Sequence, residues 1–180
     1  MRWETLFADL EAQLNGEAAR GRTAEIQEMV GYERSQVPMA GRLVAWVGQP
    51  VDLVTLGGQR FSGVLRTSGS GWVALQSGPL EYVVLTGAIR SIEGRGQRVG
   101  SAERGRISLR LALRAIARDR AAVTVFATDG EVAAAGTIDY VGTDFLQIAV
   151  HASGELPERG AITARQVLPL TAVAVIQRRS

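Results

Sequence analysis

The sequence predicts a mainly β protein with helices: an N-terminal helical arm followed by two tandem, helix-capped, five-stranded bent barrels. Three observations predict it. The chain opens on an apolar stripe at helical spacing, switches near residue 36 to two-residue alternation toward glycine turns, and runs through that second pattern twice. The boundaries that follow are an arm over 1–34, a first barrel over 35–94, a Gly/Arg-rich linker over 95–107 and a second barrel over 108–180.

The arm comes first. Trp3, Leu6, Phe7, Leu10 and Leu14 share one helix face, with Glu4, Asp9, Glu11 and Gln13 on the other sides, and Asn15-Gly16 is a stop signal. Thr23 before Ala24 and Glu25 reads as an N-cap with an acidic first turn, opening a second helix through about Glu33 with Ile26, Met29 and Val30 apolar. One helix softened at Gly16 and Gly21, or two helices, both fit. Trp3, Leu6, Phe7 and Leu10 form the arm's interaction face, since neither small core has an assured place for them.

The repeat is carried by four segments in the same order. The helix residues Ala40, Arg42, Val44 and Ala45 align with Ala112, Arg114, Ile116 and Ala117. Val51–Gly58 aligns with Val123–Gly130, Gly63–Leu75 with Gly136–Ile148, and Val83–Ile92 with Val167–Ile176. In the third segment glycine, glycine, aromatic and terminal aliphatic residues coincide. Glycines inside strands mark bends by which a small sheet curls. The expected cores are Val51, Leu53, Leu65, Leu75, Val84, Leu85 and Ile89 in one half, and Val123, Val125, Ile138, Leu146, Ile148, Val173 and Ile176 in the other. The halves differ where the short turn Gln76–Glu81 is matched by the longer stretch Val150–Arg165.

These motifs resemble the Sm-like (LSm) small-barrel family: Gly58, Gly63, Trp72 and Leu75 in one half and Gly130, Gly136, Asp144 and Ile148 in the other, followed by Val83–Ile92 as the second motif. The resemblance covers about 36–94 and 108–177. It implies an N-terminal helix, five bent strands and assembly through strand edges. RNA binders of that family place a polar base-reading residue in the first motif and Arg-Gly or Lys-His in the second. Those positions hold Ala74 or Gln147, and Thr86-Gly87 or Leu170-Thr171, here. The opening Met1–Glu11 is also similar to a group of actinobacterial proteins of this length.

Composition narrows the chemistry. Hydrophobic residues make up 46% and charged residues 21% of the 180, enough apolar material for packed cores. Cysteine is absent, which excludes disulfides, thiolate nucleophiles and cysteine-held metals. The single histidine, His151, is read as a surface-loop residue; alone it completes neither a two-histidine metal site nor a hydrolase triad. Lysine is absent too, so Gly94–Gly100 lacks the lysine of a phosphate loop. Asp129–Glu131 and Asp139–Asp144 are placed at turns, and Trp46 and Trp72 in the core or an interface. No catalytic residue, metal, cofactor or small-molecule substrate is expected, and the chain is read as cytoplasmic, without a membrane span or leader.

The local charge anomaly is basic. Arg95, Arg98, Arg104 and Arg106 lie in the linker, and Arg110, Arg114 and Arg118 fall four residues apart on a helix starting near Ser108. Leu109, Leu111, Leu113 and Ile116 are expected to face the second barrel. Such a stripe either tracks a phosphate backbone or is a solvated face. The functional expectation is a non-enzymatic interaction module, with an RNA- or DNA-binding regulator as the alternative. The final strands, Ala88–Ile92 and Ala172–Ile176, carry only Arg90 to blunt an edge. Barrels joined edge to edge within the chain, and outer edges joined between chains, predict a homo-oligomer, a dimer rather than a closed ring.

Overall fold

The computed structural model describes residues 38–94, 107–151 and 162–179. The arm, with Trp3, Leu6, Phe7 and Leu10, lies outside the described residues, as do Arg95, Arg98, Arg104 and Arg106 of the linker and most of the 150–165 stretch.

The strands form where valine, leucine and isoleucine alternate with polar residues. In β1 (Pro50–Thr55), Val51, Leu53 and Thr55 are buried and Asp52 is exposed. β6 (Ala122–Ala127) buries Val123 and Val125 in the same rhythm. The turn after each is built alike: Thr55 N–H donates to Gln59 O and Gly58 N–H to Thr55 O, while Ala127 N–H donates to Glu131 O and Gly130 N–H to Ala127 O. Gly58 and Gly130 take positive φ, 83° and 98°, as this turn demands.

The long strands β2 (Arg60–Gly69) and β7 (Val132–Val141) follow. Each is bulged against its successor, β3 (Trp72–Ser77) and β8 (Phe145–Val150), at matching places: between Leu65 and Thr67, and between Ile138 and Tyr140. Both repeat glycines explain themselves here. A Cβ on Gly63 would lie 2.5 Å from Gln76 O, and one on Gly136 would lie 2.0 Å from Ala149 O, so only hydrogen fits where the neighbouring backbone closes in. β4 (Leu80–Leu85) and β9 (Ala164–Pro169) each pass through one 3₁₀ turn, Thr86–Ala88 and Leu170–Ala172, into β5 (Ile89–Gly94) and β10 (Val173–Arg179).

Among the described residues all nine strand pairings are antiparallel. The order across the sheet is β5-β1-β2-β3-β4-β10-β6-β7-β8-β9. Split at its centre, it is the same order written twice, β5-β1-β2-β3-β4 and then β10-β6-β7-β8-β9. The repeat detected in the sequence is therefore a repeat of strand order.

The two halves are joined edge to edge within the chain. The halves fuse through β4 and β10 into one ten-stranded sheet, with Val175 opposite Val84, Ile176 opposite Val83 and Arg178 opposite Glu81. Their cores cross the junction. Ala174 and Val175 belong to the apolar cluster of the first half, and Val83 and Leu85 pack against that of the second. Leu85 was expected in the first core; alternation along β4 turns it to the other. The physical reason for fusion is that unpaired β4 and β10 would each leave a row of backbone donors and acceptors without partners. β10, expected at an edge, is thus an interior strand. From Met39 onward the chain is one compact unit.

Among the described residues two helices accompany the halves. α1 (Met39–Ala45) buries Gly41 and Leu43. α2 (Leu109–Arg118) is capped by Ser108, whose Oγ accepts from Leu111 N–H at 3.3 Å, and buries Leu113 and Ile116. Leu111 departs from expectation: at 56% exposure it points away from the core, because at about 100° per residue it lies nearly half a turn round the helix from Leu113 and Ile116.

Candidate interaction surfaces

The sheet has two ends, and both are open among the described residues. β5 closes one end, pairing only with β1 through Val51–Gly94, Asp52–Glu93, Leu53–Ile92 and Val54–Ser91. β9 closes the other, pairing only with β8 through Leu146–Leu168, Gln147–Val167 and Ile148–Gln166. Along β9 only Leu168 is buried, and Val167 stands 56% exposed. β5 exposes Arg90, Ser91 and Glu93.

The β4–β10 junction shows what such an edge looks like when covered. Valine pairs with valine and isoleucine with valine across it. Arg178 donates from Nε to Glu81 Oε2 at 2.5 Å and from Nη1 to Asp119 Oδ2 at 2.9 Å. Burial opposes the charged guanidinium, but these hydrogen bonds and the two carboxylate charges outweigh it and hold Arg178 above the ordinary arginine pKa. A second contact joins the halves at the β1–β2 and β6–β7 turns. There Gln59 Nε2 donates to Gly130 O at 2.5 Å, and a Cβ on Gly57 would lie 2.3 Å from Gly130 N. Phe61 meets Tyr82 and Phe126 edge-on, with centroids 5.1 and 5.9 Å apart, which ties β2, β4 and β6 together.

The outer face of β7-β8-β9 is open and partly aromatic. Tyr140, 58% exposed, lies against Phe145 with centroids 5.8 Å apart, and Val167 follows two strands away, opposite Gln147, which itself faces Tyr140. Asp139 was expected at a turn but sits inside β7. Arg120 Nη1 is 3.8 Å and Arg165 Nε 3.4 Å from its carboxylate, and Gln147 Nε2 donates to it at 3.2 Å. Its position in a turn-rich stretch hid this, because the partners come from β8, β9 and the turn before β6.

Of the arginines singled out, Arg110, Arg114 and Arg118 are all exposed on α2, on the side away from Leu113 and Ile116. None of the three takes part in the four ion pairs found among the described residues. His151 is a correction. It is 5% exposed rather than a surface residue, and its Nε2 is 2.8 Å from the buried Thr137 Oγ1. β7 and β8 position the pair, Thr137 lying in the bend that Gly136 permits. Trp72 is buried as expected, its indole N–H donating to Ile107 O at 3.0 Å, and Trp46 is half-buried against the first core.

Among the described residues no group of three or more histidine, cysteine, aspartate or glutamate side chains could hold a metal ion. No helix among them is long and apolar enough to cross a membrane. The sequence matches no protein-family model and no curated protein.

Proposed function

We propose that the protein is a non-enzymatic, cytoplasmic interaction module, built on two Sm-like bent barrels, that associates with itself through its two open strand edges. One observation carries the reading: the chain already contains one such joint. β9 is the repeat counterpart of β4, and β5 that of β10, so the two strands left bare at the ends are the counterparts of the two that pair at the centre. Surfaces that complement each other within the chain have complementary counterparts between chains.

The register follows from the sequence alignment. Val83 aligns with Val167 and Ile176 with Ile92, so the internal Ile176–Val83 pair translates into Ile92 of one chain opposite Val167 of another. A dimer is the smallest assembly that covers both edges. The absence of cysteine makes the test clean. Directly opposed antiparallel residues have Cα atoms about 4.5–5.5 Å apart, within disulfide reach. The double variant Ile92→Cys with Val167→Cys should therefore cross-link between chains under mild oxidation, while each single variant should not link in this way. A monodisperse monomer by light scattering at micromolar concentration, with no cross-linked species, defeats the proposal.

A second reading, an RNA- or DNA-binding regulator, is favoured by one observation. Arg110, Arg114 and Arg118 project from one face of α2 with no carboxylate paired to them among the described residues, an arrangement suited to phosphates along a backbone.

A further inference from the structure

We propose that the cleft between α2 and the β3-β4-β10 part of the sheet binds an amphipathic carboxylate, with its apolar body in the cleft and its anionic head at Arg66. The proposal is independent of the self-association above, since no residue of β5 or β9 lines the cleft.

The cleft holds about 450 Å³, a volume typical of small-molecule sites. Small side chains of the helix and the sheet line it. Ala112 and Ala115 on α2 and Ala74 on β3 leave unfilled the space that longer residues would occupy. Around them Trp72, Val83, Ile176 and Leu111 supply apolar walls. The Trp72 indole N–H, otherwise a polar feature there, is already donated to Ile107 O. Ile107 and Leu111 line the cleft yet remain 44% and 56% exposed, forming an apolar lip that no described residue covers. Water gains little from such walls, and an apolar occupant removes them from it.

Charge selects the head group. Two arginines line the cleft, and they are not equivalent. Arg178 is matched by the carboxylates of Glu81 and Asp119. Arg66 donates from Nε to the neutral Gln76 Oε1 at 2.8 Å and enters none of the ion pairs among the described residues. One unmatched positive charge lining an apolar cleft complements a single anion on an apolar tail. A polyanion would meet Glu81 as well, and a neutral hydrocarbon would leave Arg66 unused.

Trp72 provides the readout. In a Trp3→Phe, Trp46→Phe background it is the remaining tryptophan, and decanoate brominated at its far end quenches an indole only on contact. Added below its micellar concentration, it should quench Trp72 saturably with one site per chain. Replacing Arg66→Gln should weaken decanoate roughly three- to fivefold, the scale of one exposed ion pair, and leave unlabelled decanol, read by competition, unchanged. Ala112→Leu should fill the cleft and abolish quenching. Should that variant lose its native circular dichroism, Leu111→Glu, at an exposed position, should repel the carboxylate instead. Absent saturation, quenching that survives both cleft variants, or equal responses of decanoate and decanol to Arg66→Gln would each overturn the proposal. So would loss of self-association in Ala112→Leu without any decanoate binding by the parent protein, since a second chain would then be the occupant.

Discussion

Val175 belongs to the second half by sequence and to the first half by packing, which makes Val175→Ala the sharpest probe of the fused sheet. It is fully buried, lies opposite Val84 on β4 and sits in the cluster with Leu53, Leu65 and Leu75. The change removes two carbons, about 1.6 kcal/mol at ~0.8 kcal/mol per buried methylene. The residual cavity raises the total to about 2–2.5 kcal/mol, because two flanking strands limit collapse. For one cooperative unit of this size that lowers Tm by roughly 5–8 °C. Calorimetry should show a single transition before and after the change. Native-state hydrogen exchange at the amides of Leu65 in β2 and Ile138 in β7 should lose protection together, since a shared strand couples the halves. Arg179→Ala, exposed at the end of the same strand, serves as control and should shift stability by less than about 0.5 kcal/mol. Two separate transitions, or loss of protection in β7 with β2 unchanged, would refute the reasoning.

Two further outcomes follow from the same geometry. Gly136→Ala forces a Cβ within 2.0 Å of Ala149 O, and Gly63→Ala within 2.5 Å of Gln76 O, so both should destabilise by about 2 kcal/mol or more, Gly136→Ala the more severely, as read by chemical denaturation. Replacing Arg110, Arg114 and Arg118 together by alanine should leave Tm within a degree or two, because all three are exposed. If the chain binds nucleic acid through them, the slope of log affinity against log salt should flatten by roughly one unit per lost phosphate contact, and an unchanged slope removes that reading.

What the sequence determined by itself is local and repeated. Alternation marked β1 and β6, and the aligned glycines marked the places where a neighbouring strand approaches closely. Ser108 announced the start of α2, and the four matched segments announced a strand order used twice. These features are legible because each depends on residues close together in the chain: a period, a turn, a cap. Only the tertiary structure decided the rest. Alternation in Val83–Leu85 and Val173–Ile176 says that two faces are apolar, not which core each face will meet, so the sharing of β4 and β10 between the two cores could not be read from it. His151 went from a loop residue to a buried one because its partner Thr137 is 14 residues away, across a hairpin. Asp139 gathers Arg120 and Arg165 from distant parts of the chain, and the cleft at Arg66 is lined by three alanines from a strand and a helix far apart in sequence. Periodicity reports which side of an element is apolar; the pairing of strands far apart in sequence sets what that side touches, and so where surfaces and hollows form.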